Sequence, residues 1–294
     1  MKRLIVIVGA TGSGKTDVSI RLARKLGAPV ISTDSRQIYR GIPIGTAQPS
    51  PEQLAAAEHH FIATHELTEE FSCGRFESEA LALLEKLFLT HDDVIAAGGS
   101  GLYVKALCEG MDDLPQTDGQ LRESLNEQLR KEGLPALFAQ LQLLDPEYAA
   151  QVDRDNPSRV LRAVEVCLQT GKPYSSLRTG CSRKRDFEIV KLGIEMDRET
   201  LYDRINRRVD AMIDEGLEEE ARKVYPLRHL NSLRTVGYRE WFDHFDGLIS
   251  REEAIELIKR NSRRYAKRQM TWFRRDEQIR WLTPDEILQF IEIR

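Results

Sequence analysis

Cysteine is scarce in this sequence, and its four residues stand apart from one another. No C-x-x-C pair joins Cys73, Cys108, Cys167 or Cys181, so neither a zinc site nor a disulfide framework is predicted. Reduced thiols of this kind are typical of the cytoplasm. No stretch approaches the roughly 18 to 20 apolar residues that cross a bilayer, and the amino terminus has no signal-peptide pattern. We therefore expect a cytoplasmic protein without membrane contact.

A large surplus of charge of one sign is also missing, because the 294 residues carry a formal net charge of −4. That total argues against a nucleic-acid protein, but the distribution argues for one. Residues 259–275 contain eight basic side chains and no acidic ones. Six of them form two rows at intervals of four: Lys259, Arg263 and Lys267, and Arg260, Arg264 and Arg268. Basic side chains this close together repel one another, which favours a surface that binds a polyanion. The alternative is a solvated basic helix face.

A glycine-rich loop follows the apolar stretch at residues 4–8 and precedes an amphipathic helix at residues 17–26. Its residues are Gly9, Ala10, Thr11, Gly12, Ser13, Gly14, Lys15 and Thr16. Strand, loop and helix in this order are the setting of a P-loop. Backbone N–H groups and the helix amino terminus attract phosphate. The Lys15 ammonium can reach terminal phosphates, and the Thr16 hydroxyl can ligate Mg²⁺. The loop predicts a bound polyphosphate, such as that of ATP or a diphosphate, without saying which.

Apolar stretches typical of buried parallel strands occur at residues 4–8, 29–33, 94–97 and 189–194. Helices are expected between and after them, at residues 17–26, 52–60 and 78–89, from Asp197 to Gly216, and after Ser250. This alternation predicts the α/β class, with a P-loop NTPase-like parallel sheet flanked by helices. His59 and His60 are adjacent and so would not share a helix face, which argues against a metal site there.

Strand signals vanish between residues 111 and 185. Helical patterns replace them, at residues 121–131, 135–144 and 157–170. The last has Asn156 as its amino-terminal cap and Gly171 just past its end. We expect an all-helical insertion domain at residues 111–185 and a P-loop core domain formed by residues 1–110 and 186–294.

Polar groups follow the strands at the edge where an open α/β sheet binds its ligands. Asp34 comes after the second strand and would stand beside the P-loop, unless it only caps a turn. The turn Gly98-Gly99-Ser100-Gly101 follows the next predicted strand and adds a hydroxyl at Ser100. No acid ends that strand, which counts against a nucleotide-hydrolysing switch. Arg204 and Arg208 share a helix face that either suits a diphosphate or is solvated.

These features together favour transfer between a small phosphorylated donor and a nucleic acid. The blocks that carry them resemble, in order and spacing, those of bacterial tRNA dimethylallyltransferases. The blocks are Gly9–Thr16, Asp34–Tyr39, Ile44–Ala47, Gly98–Tyr103, Asn156–Arg162, Arg234–Arg239 and Lys267–Arg274. The resemblance runs nearly end to end. It implies transfer of a dimethylallyl group from dimethylallyl diphosphate to N6 of the adenosine 3′ of the anticodon, in tRNAs that read codons beginning with U.

The resemblance also implies roles at the reaction centre. Asp34 would be the general base, with Ser100 beside it. Arg208 and Lys15 would stabilise the departing diphosphate, the loop Gly9–Thr16 would bind it, and Thr16 would hold Mg²⁺. The family more often has threonine where this chain has Ser100, and often lysine where it has Gln48.

Contacts with the anticodon stem-loop are implied in the same way, and the helical insertion would grip the stem. The residues are Asp34, Ser35, Arg36, Gln37, Ser100, Arg122, Ser158, Arg159, Val160, Leu161, Arg162, Arg234, Thr235, Val236, Gly237, Tyr238, Arg239, Arg263, Lys267 and Arg268. A cytoplasmic monomer is expected.

Three alternatives remain open on the residues alone. A P-loop kinase would phosphorylate a small molecule with ATP. A prenyltransferase that acts on free AMP or ADP would share the P-loop and Asp34, but would need neither the helical insertion nor the basic stretch. An RNA-binding module with a relic P-loop would transfer nothing.

Overall fold

The structure is a computed structural model that describes residues 2–180 and 182–292. Met1, Cys181, Ile293 and Arg294 lie outside the described residues. The chain divides into two compact units. One comprises the residues up to Glu109 and from Lys184 onward, and the other is Gly110–Arg183.

The first unit contains a parallel sheet of six strands in the order β3-β2-β4-β1-β5-β6. The strands are β1 (Arg3–Val8), β2 (Val30–Ser32), β3 (His59–His60), β4 (Asp93–Gly98), β5 (Glu188–Ile194) and β6 (Arg280–Leu282). β1 lies at the centre, where Arg3 is opposite both Asp93 and Glu188. The predicted class is confirmed: a parallel sheet flanked by helices.

The helices of the described residues are numbered in chain order. They are α1 (Lys15–Leu26), α2 (Pro43–Thr46), α3 (Pro51–Ala56), α4 (Cys73–Leu87), α5 (Gly101–Glu109), α6 (Gly119–Glu132), α7 (Leu134–Leu144), α8 (Pro146–Gln151), α9 (Pro157–Thr170), α10 (Tyr174–Leu177), α11 (Arg198–Asp214), α12 (Leu217–Val224), α13 (Tyr238–Phe245), α14 (Arg251–Phe273) and α15 (Pro284–Glu292). Short 3₁₀ turns occupy Tyr225–Leu227 and Asn231–Leu233. None of the helices described is both long and apolar enough to pass through a bilayer.

Two predicted element boundaries are wrong. The helix expected at residues 52–60 ends at Ala56, because Ala57 is extended, with φ −156° and ψ 152°. His59 and His60 then form the edge strand β3 beside Val30 and Ile31. The helix expected from residue 78 begins earlier, at Cys73, because the Ser72 hydroxyl caps the Arg75 N–H.

The central strand supplies both cores of this unit. Leu4, Val6 and Val8 pack on one face of the sheet and Ile5 and Ile7 on the other, as the alternation of a strand requires. Because all five are fully buried, the carboxyl end of β1 is fixed. The P-loop leaves the sheet from that end.

The second unit is helical and contains α6 to α10. α9 spans the predicted residues, with the Asn156 side chain capping its amino terminus and Gly171, at φ 67°, ending it. Leu137, Leu141 and Val160 lie in its core and are fully buried.

Candidate functional site

A cleft of about 530 Å³ opens at the carboxyl ends of the central strands. This is the edge at which ligands bind in open α/β sheets. The P-loop, the segment after β2, α11 and α14 line it.

The P-loop is bent by glycines and supports its own lysine. Gly12 and Gly14 have φ of 83° and 92°, which favours glycine because a side chain is strained there. The Lys15 ammonium donates to the carbonyls of Gly9, at 3.1 Å, and Ala10, at 2.8 Å. Burial lowers the pKa of Lys15 to about 8, although Asp34 opposes the change; Arg208 adds to it. The buried ammonium therefore lacks a full counter-charge, which an anionic ligand would supply.

Two arginines of α11 line the same cleft. The Arg208 guanidinium lies 3.5 Å from the Thr11 hydroxyl, and the Arg204 guanidinium lies against Gly14. Burial lowers the pKa of Arg208, while Asp34 and Glu215 raise it. The structure thus directs both guanidinium groups at the P-loop. Three cations around one loop are an arrangement suited to a diphosphate.

Both interpretations of Asp34 apply, because it caps a turn and also stands in the cleft beside the P-loop. One carboxylate oxygen, Oδ1, accepts from the backbone N–H groups of Arg36, at 2.9 Å, and Gln37, at 3.4 Å. The carboxylate therefore caps a turn, and it also lines the cleft. Its Oδ2 atom makes no hydrogen bond with the described residues, so it can accept one from a ligand.

The Ser100 hydroxyl holds the segment that carries Asp34. It accepts from the Ser35 N–H at 2.9 Å and donates to the Ser35 hydroxyl at 3.1 Å. Tyr265 lines the same cleft, where burial, together with the charge of Asp34, raises the pKa of its phenol. Ser100 thus acts on the position of Asp34 through Ser35.

One face of α14 forms a wall of the cleft, a role that was not predicted from the sequence. The residues on that face recur at helical spacing: Ile258, Ser262, Tyr265 and Gln269. The Gln269 carboxamide accepts from the Thr11 N–H at 2.8 Å and donates to the Gly99 carbonyl at 2.9 Å. The signal was present as an uncharged stripe on the side of the helix away from the two adjacent basic rows, but nothing local identified what it faces.

The basic stretch at residues 259–275 is partly compensated by acidic side chains elsewhere in the chain, although it contains no acidic residue itself. Lys259 pairs with Asp210 at 2.6 Å, and Arg274 lies 3.5 Å from Glu195. Arg263 donates to the Asn206 side chain at 2.5 Å. Within residues 2–180 and 182–292, no ion pair engages the exposed side chains of Arg260, Arg264, Lys267, Arg268 and Arg275. The first four lie on α14 and form the free basic face of α14, whereas Arg275 follows the end of the helix.

The remaining predicted RNA contacts of this unit differ in exposure. Arg36 donates to the carbonyls of Asn231 and Ser232, and the Gln37 amide donates to those of Thr46 and Ala47. Arg234 and Arg239 are exposed, whereas Thr235, Val236 and Gly237 line the cleft. Tyr238 is fully buried, with its hydroxyl on the Ile42 carbonyl and Glu220. It therefore offers no side-chain surface to RNA.

In the helical unit, the predicted RNA contacts separate into two groups. Ser158 and Arg159 are exposed on the first turn of α9. Val160 and Leu161 are buried in the core, so their side chains cannot touch RNA directly. Arg122 and Arg162 both bind the fully buried Glu165, and Arg162 also donates to the Pro115 carbonyl at 2.6 Å. Their guanidinium groups hold this unit together.

The cleft fits Mg²⁺ only in company with a phosphorylated ligand. No group of three or more His, Cys, Asp or Glu that could hold a metal occurs in the part of the chain described. The carboxylates that line the cleft belong to Asp17, Asp34 and Glu215. Thr16 also lines the cleft, and its hydroxyl has no hydrogen-bond partner among the residues described. Because Mg²⁺ is commonly held by few protein ligands and by substrate phosphates, Thr16 fits this role.

Comparison with known proteins identifies close relatives over the whole length. The family model described as IPP transferase matches residues 37–276. A tRNA dimethylallyltransferase 1 from Phocaeicola vulgatus is 51% identical over 291 residues, covering 98% of this chain and 97% of that protein. A tRNA dimethylallyltransferase 1 from Bacteroides fragilis is 51% identical over 294 residues, covering 99% and 98%.

Solved structures share the fold. A tRNA isopentenylpyrophosphate transferase from Bacillus halodurans is 38% identical, with a TM-score of 0.73 and coverage of 99% of this chain and 96% of that one. A eukaryotic dimethylallyltransferase studied acting on tRNA is 26% identical, with a TM-score of 0.79 and coverage of 97% and 74%.

Proposed function

The chain belongs to the IPP transferase family, and we propose that it transfers a dimethylallyl group from dimethylallyl diphosphate to N6 of adenosine 37 of tRNA. The acceptor base lies just 3′ of the anticodon, in tRNAs that read codons beginning with U. The products are N6-(dimethylallyl)adenosine and diphosphate. One observation carries this proposal: the P-loop, Arg208 and Asp34 line a single cleft. Groups suited to a departing diphosphate and a group suited to accept a proton therefore face the same space.

The cations of the cleft would act on the leaving group. As the bond between C1 of the allyl group and the diphosphate oxygen breaks, negative charge grows on the diphosphate. Lys15 and Arg208 are positioned before the reaction by the P-loop carbonyls and the Thr11 hydroxyl. Charges that are already oriented need no reorganisation when the bond breaks, which is the main source of electrostatic catalysis.

Asp34 would act on the nucleophile. An exocyclic adenine amine is a weak nucleophile because its lone pair is delocalised into the ring. A carboxylate that accepts a hydrogen bond from N6 aligns the amine and takes its proton as the new bond to C1 forms. The Oδ2 atom suits this role, since Oδ1 is held by the Arg36 and Gln37 N–H groups.

Thr16 would hold Mg²⁺ together with diphosphate oxygens. When bound, the ion would supply further positive charge to the leaving group. Gly9, Ala10, Gly12, Ser13 and Gly14 complete the loop around the diphosphate.

The acceptor base must leave its stack to reach the cleft. We assign the free basic face of α14 to the RNA phosphates, because exposed cations without ion pairs release counterions on binding. Arg234 and Arg239 add exposed cations, and Arg36 and Gln37 would position the displaced base. In the helical unit, Ser158 and Arg159 are the accessible candidates for gripping the stem. The protein would act as a monomer in the cytoplasm, where its RNA substrate is found.

A transfer assay with competing acceptors tests this function. Purified protein with Mg²⁺ receives labelled dimethylallyl diphosphate and unmodified tRNA, AMP or ATP. We expect label on tRNA alone, mapped by nuclease digestion to adenosine 37. A tRNA with guanosine at position 37 is the matched control and should stay unlabelled.

The other outcomes separate the alternatives. Label on AMP or ATP would indicate that the protein prenylates free nucleotides. Phosphoryl transfer from ATP without prenyl transfer would instead indicate that the protein is a P-loop kinase. Tight tRNA binding without any transfer would indicate that the protein is an RNA-binding module with no transferase activity.

A further inference from the structure

Gln269 joins two loops that lie far apart in sequence. Its side chain is buried, and both ends of the carboxamide are used. Oε1 accepts from the Thr11 N–H in the P-loop, and Nε2 donates to the carbonyl of Gly99 in the turn after β4. Thr11 is 258 residues away and Gly99 is 170 residues away. One side chain of α14 therefore sets where these two loops stand relative to each other.

The two loops carry opposite halves of the proposed reaction. The Thr11 hydroxyl meets Arg208 on the diphosphate side. Gly99 precedes Ser100, whose hydroxyl holds the Ser35 N–H beside Asp34. A displacement of Gln269 would thus change the separation between the leaving group and the base.

Close packing makes this separation hard to change. A Cβ atom at Gly99 would lie 2.1 Å from the Gln269 amide nitrogen, and one at Gly101 would lie 2.2 Å from the Trp272 ring. Both distances are far below normal contact, so α14 approaches the turn as closely as glycine allows. The carboxamide is consequently held in one place and can act as a rigid spacer.

We propose that Gln269 is a positioning residue that sets the distance between the diphosphate site and Asp34. The inference rests on the proposed prenyl transfer. In that reaction the bond to the diphosphate oxygen and the bond to N6 lie on opposite sides of C1, so both partners must be in place at once. Misplacement by about 1 Å costs on the order of 100-fold in rate.

Single-turnover kinetics of Gln269→Met test the proposal, since methionine has a similar length but neither hydrogen bond. At saturating donor and tRNA, we expect the transfer rate constant per folded protein to fall by roughly 10- to 100-fold. The dissociation constant for tRNA should stay within about twofold, because Gln269 does not belong to the free basic face. Thr271→Ala is the matched control: Thr271 is exposed on the same helix and bonds only the Lys267 carbonyl.

Gln269→Glu is a second test with a different expected effect on the kinetics. It is decisive if the methionine variant fails to fold. Glutamate keeps an acceptor for the Thr11 N–H but loses the donor to Gly99 and adds negative charge beside the diphosphate site. We expect its KM for the donor to rise by about tenfold or more. Unchanged rate constants and KM in both variants, or a loss equal to the unfolded fraction, would overturn the role of Gln269. Absence of transfer by the wild-type protein would instead refute the proposed function.

Discussion

Lys15 allows a prediction in which loss of function accompanies a gain in stability. Its ammonium is buried in the P-loop, and burial lowers its pKa from 10.5 to about 8. That difference corresponds to about 3 kcal/mol of unfavourable free energy for the charged form. Lys15→Met removes this cost but also two hydrogen bonds to backbone carbonyls, worth about 1 kcal/mol each. At pH 7 the variant should therefore be more stable than the wild type by about 1 to 2 kcal/mol, while donor binding is lost.

The pH dependence follows from the sign of the shift. A lysine in the unfolded chain keeps its proton until about pH 10.5, whereas folded Lys15 releases it near pH 8. Between these values the unfolded state binds more protons, so the stability of the wild type rises with pH. The advantage of the variant should shrink over the same interval and reverse at about pH 9, where the remaining cost of the charge equals the contribution of the two hydrogen bonds.

Urea denaturation of both proteins at pH 7, 8, 9 and 10 measures this difference. Lys191→Met is the matched control, because Lys191 is buried but paired with Glu109 at 2.8 Å and Asp276 at 2.7 Å, and its pKa is raised by these hydrogen bonds despite burial. Removing its charge should destabilise the protein by about 2 kcal/mol throughout this range. A Lys15→Met variant that is less stable at pH 7, or a difference that is constant with pH, would refute the argument.

Other substitutions separate chemistry, RNA binding and structure. Asp34→Asn keeps the acceptor for the Arg36 N–H but removes the base, so transfer should fall by about 10² to 10⁴ with tRNA affinity unchanged; weak tRNA binding instead would make Asp34 structural. Lys267→Glu with Arg268→Glu should weaken tRNA binding and reduce its salt slope by about 2, and an unaltered slope would remove the free basic face of α14 from the RNA surface. Arg162→Met should lower the unfolding free energy by about 1 to 2 kcal/mol, because Glu165 loses one of two partners; weaker tRNA binding at unchanged stability would contradict this.

Features that depend on neighbours in the chain were predictable. The P-loop needs only a strand, a run of glycines and a helix start, and all lie within two dozen residues. The bounds of α9 follow from a cap at Asn156 and a stop at Gly171, which act on adjacent backbone groups. The central parallel strands are recognisable because apolar stretches buried on both faces have little other explanation in such a chain.

Some short strands and the distant side-chain pairings could not be predicted from the sequence, because they leave no local pattern. β3 has two residues and β6 has three, and neither lies in an apolar stretch like the one that marks the equally short β2. Glu165 binds Arg122, which lies 43 residues away in the same helical unit. The sequence around Arg122 therefore does not show that this cation has a partner. The packing of α11 and of the turn after β4 against α14 decides which of its side chains are free and which face the cleft. Residue types and caps are local properties, whereas the partner of a buried polar group is chosen by packing among segments that meet only in the folded chain.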